Sequence, residues 1–203
     1  MYCRFLKRVL DFILSLTAIV LFFWLFLILV VLVKATSPGP VLFRQKRVGI
    51  NRSYFSMLKF RTMRIDTPKD VPTHLLANPE QYITPIGRFL RKTSLDELPQ
   101  LFNILMGHMA IVGPRPALWN QEDLIAERER YGANGVRPGL TGWAQINGRD
   151  ELEIPVKARF DGEYVNRMSL IFDIKILFGT IRSVVVQDGV KEGGTGNGQG
   201  HGK

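Results

Sequence analysis

The dominant pattern in the chain is an apolar run close to its start. From Phe12 to Val33 there are 22 consecutive uncharged residues, 18 of them Phe, Ile, Leu or Val. Each such side chain favours insertion into hydrocarbon by roughly 0.3–0.6 kcal/mol at a helix centre, so Ser15 and Thr17 cost little against the sum. At about 1.5 Å per residue the run makes a helix roughly 33 Å long, enough to cross a bilayer core. It is too long for the apolar part of a signal peptide, and Val31-Leu32-Val33-Lys34 offers no small residue for cleavage. Residues 1–36 are therefore expected to form a membrane-inserted segment built on one uninterrupted helix.

After this run the pattern becomes that of a mixed domain. Ser37-Pro38-Gly39-Pro40 stops the helix. Val41-Leu42-Phe43 and the stretch Tyr54 to Met63 are β-prone, with Gly49-Ile50-Asn51-Arg52 as a turn between them. In the second strand Lys59 and Arg61 fall on one face, because side chains alternate. Asp66 to Tyr82 is polar and contains proline, which predicts a loop. Helices are expected over about Asp96–Met106, Gln121–Tyr131 and Leu170–Val186. The last is apolar over much of its circumference, suited either to core packing or to a membrane interface. The fold class that emerges is α+β: a membrane helix, read as re-entrant from the basic residues on both its flanks, then a small mixed catalytic domain over 37–192 with amphipathic interface helices. Residues 193–203 are Gly-rich and predict a flexible tail.

Charge placement sharpens this picture. The chain carries 27 Lys and Arg against 18 Asp and Glu, a net of +9. Residues 1–64 hold 11 basic residues and one acid, Asp11, whereas residues 65–203 come to −1. The excess is thus a belt on both sides of the apolar run, which favours membrane phospholipids over nucleic acid as partner. Basic residues mark the cytoplasmic side, and here Arg4, Lys7 and Arg8 precede the run while Lys34, Arg44, Lys46 and Arg47 follow it. That double flank favours a re-entrant helix; the lack of Pro or Gly between Phe12 and Val33 favours a span. The lone Cys3 excludes a disulfide framework and a Cys-rich zinc site, and His74, His108 and His201 are too dispersed for a histidine metal site.

Three segments carry candidate chemistry. In Thr93-Ser94-Leu95-Asp96-Glu97-Leu98-Pro99, Ser94 and Glu97 have capping-box spacing. A cap at Asp96 instead places Pro99 in the first turn, where its missing N–H is harmless. Either start puts adjacent carboxylates at the positive end of a helix dipole, suited to an ionised nucleophile or a metal ligand. Gly113-Pro114-Arg115-Pro116 fixes the backbone around one arginine, which makes either a plain rigid turn or a preorganised oxyanion grip. In Val136 to Arg149, Pro138-Gly139 suits a type II turn, close glycines admit a ligand, Trp143 fits the core, and Arg149 offers an anion contact. The chain lacks GxxxxGK[ST], GxGxxG, GxSxG, HExxH and any Asp-x-Asp pair.

Taken together, the ordered set resembles the small bacterial sugar transferases, the monotopic phosphoglycosyl transferases that act on polyprenol phosphate. The segments that carry the likeness are Lys7-Arg8-Val9-Leu10-Asp11, Lys59-Phe60-Arg61-Thr62-Met63, Ser94-Leu95-Asp96-Glu97-Leu98, Val112-Gly113-Pro114-Arg115-Pro116 and Arg137-Pro138-Gly139 through Arg149. The resemblance implies a two-step transfer on the cytoplasmic face of the bacterial inner membrane. Asp96 would attack the β-phosphate of a UDP-sugar, release UMP and form a phosphosugar–aspartyl intermediate that polyprenol (undecaprenyl) phosphate then consumes. Glu97 matches the family's Mg²⁺-binding acid, and Arg115 a phosphate-holding arginine. Lys59, Arg91 and Arg149 are weaker matches for substrate anions, and Asp161 for a further acid at the site. A homodimer is compatible with the same resemblance. Members of the family break the membrane helix with a Ser-Pro or similar pair, where this chain has Phe23-Trp24. The non-enzyme alternative is a membrane-anchored scaffold that binds anionic lipid.

Overall fold

The computed structural model describes residues 2–68, 78–148 and 152–186. The chain starts with a π-helical turn, Tyr2–Leu6, and continues into α1 (Lys7–Leu21) and α2 (Phe23–Thr36). The expected uninterrupted helix is therefore two helices, bent by 65° at Phe22. No proline or glycine makes the bend; packing does. Lys7, Asp11 and Ser15 lie one turn apart and form the buried stripe of α1. Phe26, Leu29 and Val33 form that of α2. α1 packs on α4 and β3, and α2 on α3, so both stripes face one body. A straight helix of the combined 30-residue length, about 45 Å, would carry the second stripe past that body.

The domain that receives the pair is a mixed α+β fold. β1 (Leu42–Val48) and β2 (Tyr54–Phe60) form an antiparallel hairpin in which Phe43 lies opposite Lys59. α3 (Pro85–Lys92) follows, started by Thr84, whose hydroxyl accepts the Gly87 N–H at 3.0 Å. After a short turn come α4 (Gln100–Leu105), β3 (Ala110–Val112), α5 (Glu122–Glu129), β4 (Gly139–Thr141) and α6 (Trp143–Ile146). α7 (Ile154–Arg167) and α8 (Leu170–Val186) complete the described chain. β3 and β4 pair in parallel. The proposed tail and Arg149 lie outside the described residues, as does part of the expected loop over 66–82.

The β3–β4 crossing corrects the reading of Pro138-Gly139 as a type II turn. Gly139 opens a strand, and its N–H donates to the Pro114 carbonyl at 2.9 Å. A Cβ on Gly139 would stand 2.1 Å from the Gly113 nitrogen, and one on Gly142 2.1 Å from the Gly113 oxygen. These glycines let backbone approach backbone, not ligand.

Three buried apolar clusters lie among the described residues, one of them around Val48, Ala117, Leu124 and Ile125. Phe26, Leu29 and Val33 pack with Phe60, Leu90, Leu101 and Ile104; Val112 packs with Tyr164, Phe172 and Ile176. Between them runs a buried polar network centred on Asp173 of α8. Its Oδ2 accepts from Lys7 Nζ at 2.6 Å and from the Tyr2 hydroxyl at 2.5 Å, and its Oδ1 from the Tyr164 hydroxyl at 2.8 Å. Asp11 accepts the Ile111 N–H at 3.0 Å. Burial, and then the neighbouring Asp173, push the Tyr164 phenol well above its ordinary pKa, so it remains a donor. At the other end, Arg61 donates to the carbonyls of Ser37 and Pro38 and fastens the exit of α2.

Opposite these contacts the surface is apolar. Val20, Leu21, Trp24 and Val31 point outward from the bent pair. On α8, Ile171 and Phe178 are 81% and 69% exposed, while Phe172 and Ile176 fill the core. The helix expected over Leu170–Val186 thus packs into the core on one face and leaves apolar side chains exposed on the other.

Asp173→Ala leaves Lys7 buried beside only the distant carboxylate of Asp11, 4.0 Å away. It should destabilise the protein by about 3–5 kcal/mol, the cost of stranding one partner of a buried pair. Denaturant unfolding in detergent checks this.

Candidate active site

The site is assembled by a sharp local turn. Ser94 adopts a left-handed conformation (φ 56°) and caps nothing, and Leu95–Glu97 form one 3₁₀ turn. Pro99 then stands at the N-cap of α4. Neither expected helix start is formed: α4 begins three residues after Glu97, so the carboxylates do not sit on its first turn. Their environment comes instead from side chains on other elements.

Glu97 Oε1 accepts from Lys59 Nζ of β2 at 2.7 Å and from Arg115 Nη2 at 3.2 Å. Lys59 Nζ also lies 3.8 Å from Asp96 Oδ2. Arg91 of α3 donates from Nε to the Thr62 hydroxyl at 3.0 Å, and its charge acts on Asp96. Burial alone would raise the pKa of Glu97, but Lys59 and Arg115 outweigh it and bring it down to about 2. Asp96 moves the other way. Burial raises its pKa, Lys59 opposes, and the adjacent Glu97 adds to the rise. Among the described residues Asp96 accepts no hydrogen bond. Two carboxylates and three cations leave a local excess of one positive charge, with Arg115 38% exposed at its side chain.

Arg115 is placed by its loop. The Pro114 carbonyl accepts from Gly139, and that of Pro116 accepts from Arg47 at 2.9 Å. The turn is held at both prolines, as the rigid-turn reading expects, and its arginine reaches the Glu97 carboxylate. The structure thus brings together Asp96, Glu97, Lys59, Arg91 and Arg115. Lys59 and Arg61, expected on one strand face, have separate tasks, because β2 ends at Phe60. Asp161 is not part of this group. Its carboxylate is buried on Arg128 at 2.7 Å, and the cations that act on it are Arg128 and Lys157. Trp143 packs on Phe172, with its indole N–H on Glu163 at 2.9 Å. Sequence reasoning missed Thr62, although it lies next to Arg61 in the Lys59–Met63 segment, and it missed Asn103.

Comparison with known proteins identifies the family. The family model described as bacterial sugar transferase matches residues 2–187. The chain belongs to the bacterial sugar transferase family. This sugar transferase is 43% identical over 185 residues to the UDP-glucose:undecaprenyl-phosphate glucose-1-phosphate transferase of Escherichia coli K12, covering 88% of this chain and 40% of that protein. It is 41% identical to the uncharacterized sugar transferase EpsL of Bacillus subtilis, covering 92% and 91%. To the exopolysaccharide production protein ExoY of Rhizobium meliloti it is 37% identical, covering 90% and 87%. The chain therefore spans less than half of the Escherichia coli relative and nearly all of the other two.

The depressed pKa of Glu97 gives a signed pH prediction. A carboxylate lowered on folding contributes stability above its unfolded pKa, near 4.5, and loses that contribution as pH falls toward 2. The stability difference between wild type and Glu97→Gln should shrink across that window, as read by denaturant melts at several pH values.

Proposed function

We propose that this sugar transferase moves a sugar 1-phosphate from a UDP-sugar to undecaprenyl phosphate, with Asp96 as nucleophile. The observation that carries the reading is the pair of dissimilar carboxylates on one turn. Glu97 is held ionised by two cations, while Asp96 is buried and free of hydrogen bonds to described residues. The name of the Escherichia coli relative, a UDP-glucose:undecaprenyl-phosphate glucose-1-phosphate transferase, supports the donor and acceptor classes.

In the first step an Asp96 carboxylate oxygen attacks the β-phosphorus, and the bond from that phosphorus to the bridging oxygen breaks. UMP leaves with the bridging oxygen, and the sugar phosphate stays on Asp96 as an acyl phosphate. In the second step a phosphate oxygen of undecaprenyl phosphate attacks the same phosphorus, and the Asp96 carboxylate departs. A carboxylate approaching a diphosphate meets like charge, which Arg115, Arg91 and Lys59 offset. Covalent catalysis by aspartate has precedent in aspartyl-phosphate enzymes.

Mg²⁺ suits the donor set. The ion keeps several waters and is held by one or two carboxylates plus substrate phosphates. Lys59 and Arg115 both converge on Oε1 of Glu97, which leaves Oε2 for a metal. When bound, Mg²⁺ would neutralise diphosphate charge. A lipid-binding scaffold would have no use for this buried cluster.

The membrane reading rests on where the bent pair is tied. Lys7 and Asp11 at one end and Ser37 and Pro38 at the other are fastened to the same domain. A helix pair with that attachment enters and leaves on one face. Its outward apolar surface and that of α8 would sit in the bilayer and at its boundary. The basic belt supports the reading that the domain sits on the cytoplasmic face of the bacterial inner membrane, at the depth of the acceptor's phosphate.

Two outcomes are expected. Asp96→Asn should abolish UMP release from UDP-sugars, while Glu97→Gln should raise the Mg²⁺ concentration required or abolish activity; robust turnover by the first variant excludes Asp96 as nucleophile, and unchanged metal dependence of the second excludes Glu97 as ligand. Cysteines introduced near Lys7 and near Thr36 should label from the same side of sealed vesicles. Opposite-side labelling rules out re-entry.

A further inference from the structure

The turn bearing Asp96 and Glu97 must be held against β2, because their cation Lys59 comes from that strand. One side chain is built for this. Asn103 of α4 is fully buried, with its Oδ1 accepting the Leu58 N–H at 2.9 Å and its Nδ2 donating to the Ser56 carbonyl at 2.8 Å. Those two groups flank Met57 on the edge of β2 that β1 leaves open. They are the groups a parallel neighbouring strand would engage, so the amide takes the place of a peptide opposite Met57. The same residue's carbonyl accepts from the N–H groups of His108 and Met109, closing the far end of α4.

We propose that Asn103 is a positioning residue that sets the register of the Asp96–Glu97 turn on β2, and thereby the reach of Lys59 to both carboxylates. The inference rests on the transfer reaction proposed above. Its mechanical basis is short and continuous. From Asn103 back to Ser94 the backbone runs without a break in hydrogen bonding: Phe102 N–H to Pro99, Leu101 to Leu98, Leu98 to Leu95, and Glu97 to Ser94. The segment therefore moves as one piece. On β2, Lys59 directly follows Leu58. A slip of α4 along β2 would shift the carboxylates relative to Lys59 by the same amount. Apolar contacts around Leu101 and Ile104 hold α4 down, but they are non-directional and do not fix register. A bidentate amide does, because both of its bonds are satisfied at only one offset.

Three variants test this in the intact membrane-bound protein: Asn103→Ala, Asn103→Asp and, as a control, Ile104→Val, which trims the neighbouring core side chain without touching register. UMP release is measured with saturating Mg²⁺ and normalised to folded protein. Displacements of the order of 1 Å cost about 100-fold in rate. Asn103→Ala should therefore lose roughly 10–100-fold in kcat with little change in KM for the UDP-sugar, while Ile104→Val keeps kcat near wild type. Asn103→Asp retains the acceptor for Leu58 but sets an oxygen against the Ser56 carbonyl, and its kcat should fall between the two. Hydrogen exchange supplies a readout that needs no activity: the Leu58 amide should exchange faster in Asn103→Ala and stay protected in Asn103→Asp. Equal kcat for Asn103→Ala and Ile104→Val, in an active wild type, overturns the proposal, as does unchanged Leu58 protection. An inactive wild type instead overturns the transfer reading, and the exchange experiment still decides the pin.

Discussion

A buried lysine is tolerable only where the protein supplies its partner, and here that partner is Asp173. Its two oxygens collect Lys7, Tyr2 and Tyr164, which lie on the start of the chain and on α7. The bond sets which side of α1 faces the domain. From that choice follow the Asp11 contact to Ile111, the burial of Ser15, and the grip of Arg8 on the Ile104 and Leu105 carbonyls at the end of α4. Because Arg61 fastens the exit of α2, the apolar pair is held at both ends and bends between them. Stranding a charge in such a place costs several kcal/mol. That penalty locks the pair to the domain more firmly than apolar contacts alone, which are non-directional.

The same constraint, with opposite purpose, shapes the site. Lys59 and Arg115 spend their charge on one oxygen of Glu97, and Asp96 beside it keeps a carboxylate without hydrogen bonds. Two chemically identical groups, adjacent in sequence, are thus pushed apart in basicity by where the cations stand. α4 ties the two regions together. Arg8 holds its end toward the bent apolar pair, and Asn103 seats its middle on β2.

Much of this was legible in the sequence. The apolar run, the hairpin and the helix over Leu170–Val186 follow from periodicity. Asp96, Glu97, Arg115, Lys59 and Arg91 come together as the family resemblance implies. What was illegible has common physical causes. The bend at Phe22 has no local signal, since tertiary attachment at both ends makes it. Ser94 carries capping-box spacing but is turned left-handed, because the segment is fitted to β2 and not to a helix start. Asp161 is chemically indistinguishable from a site acid until its burial on Arg128 is seen. Gly139 and Gly142 resemble part of a ligand cradle in sequence and prove to be where the backbone around β4 packs closely against that of Gly113. The start of α3, by contrast, was readable from Thr84-Pro85, a cap followed by proline, and was simply missed.

The central claim is that Asp96 takes up the sugar phosphate. It is tested most directly by incubating the membrane-bound protein with a UDP-sugar and Mg²⁺ in the absence of any polyprenol phosphate, then measuring its intact mass. The account requires a mass increase of one sugar phosphate, localised to Asp96 and discharged on adding undecaprenyl phosphate. An active protein that never gains this mass, or that gains it on another residue, contradicts it.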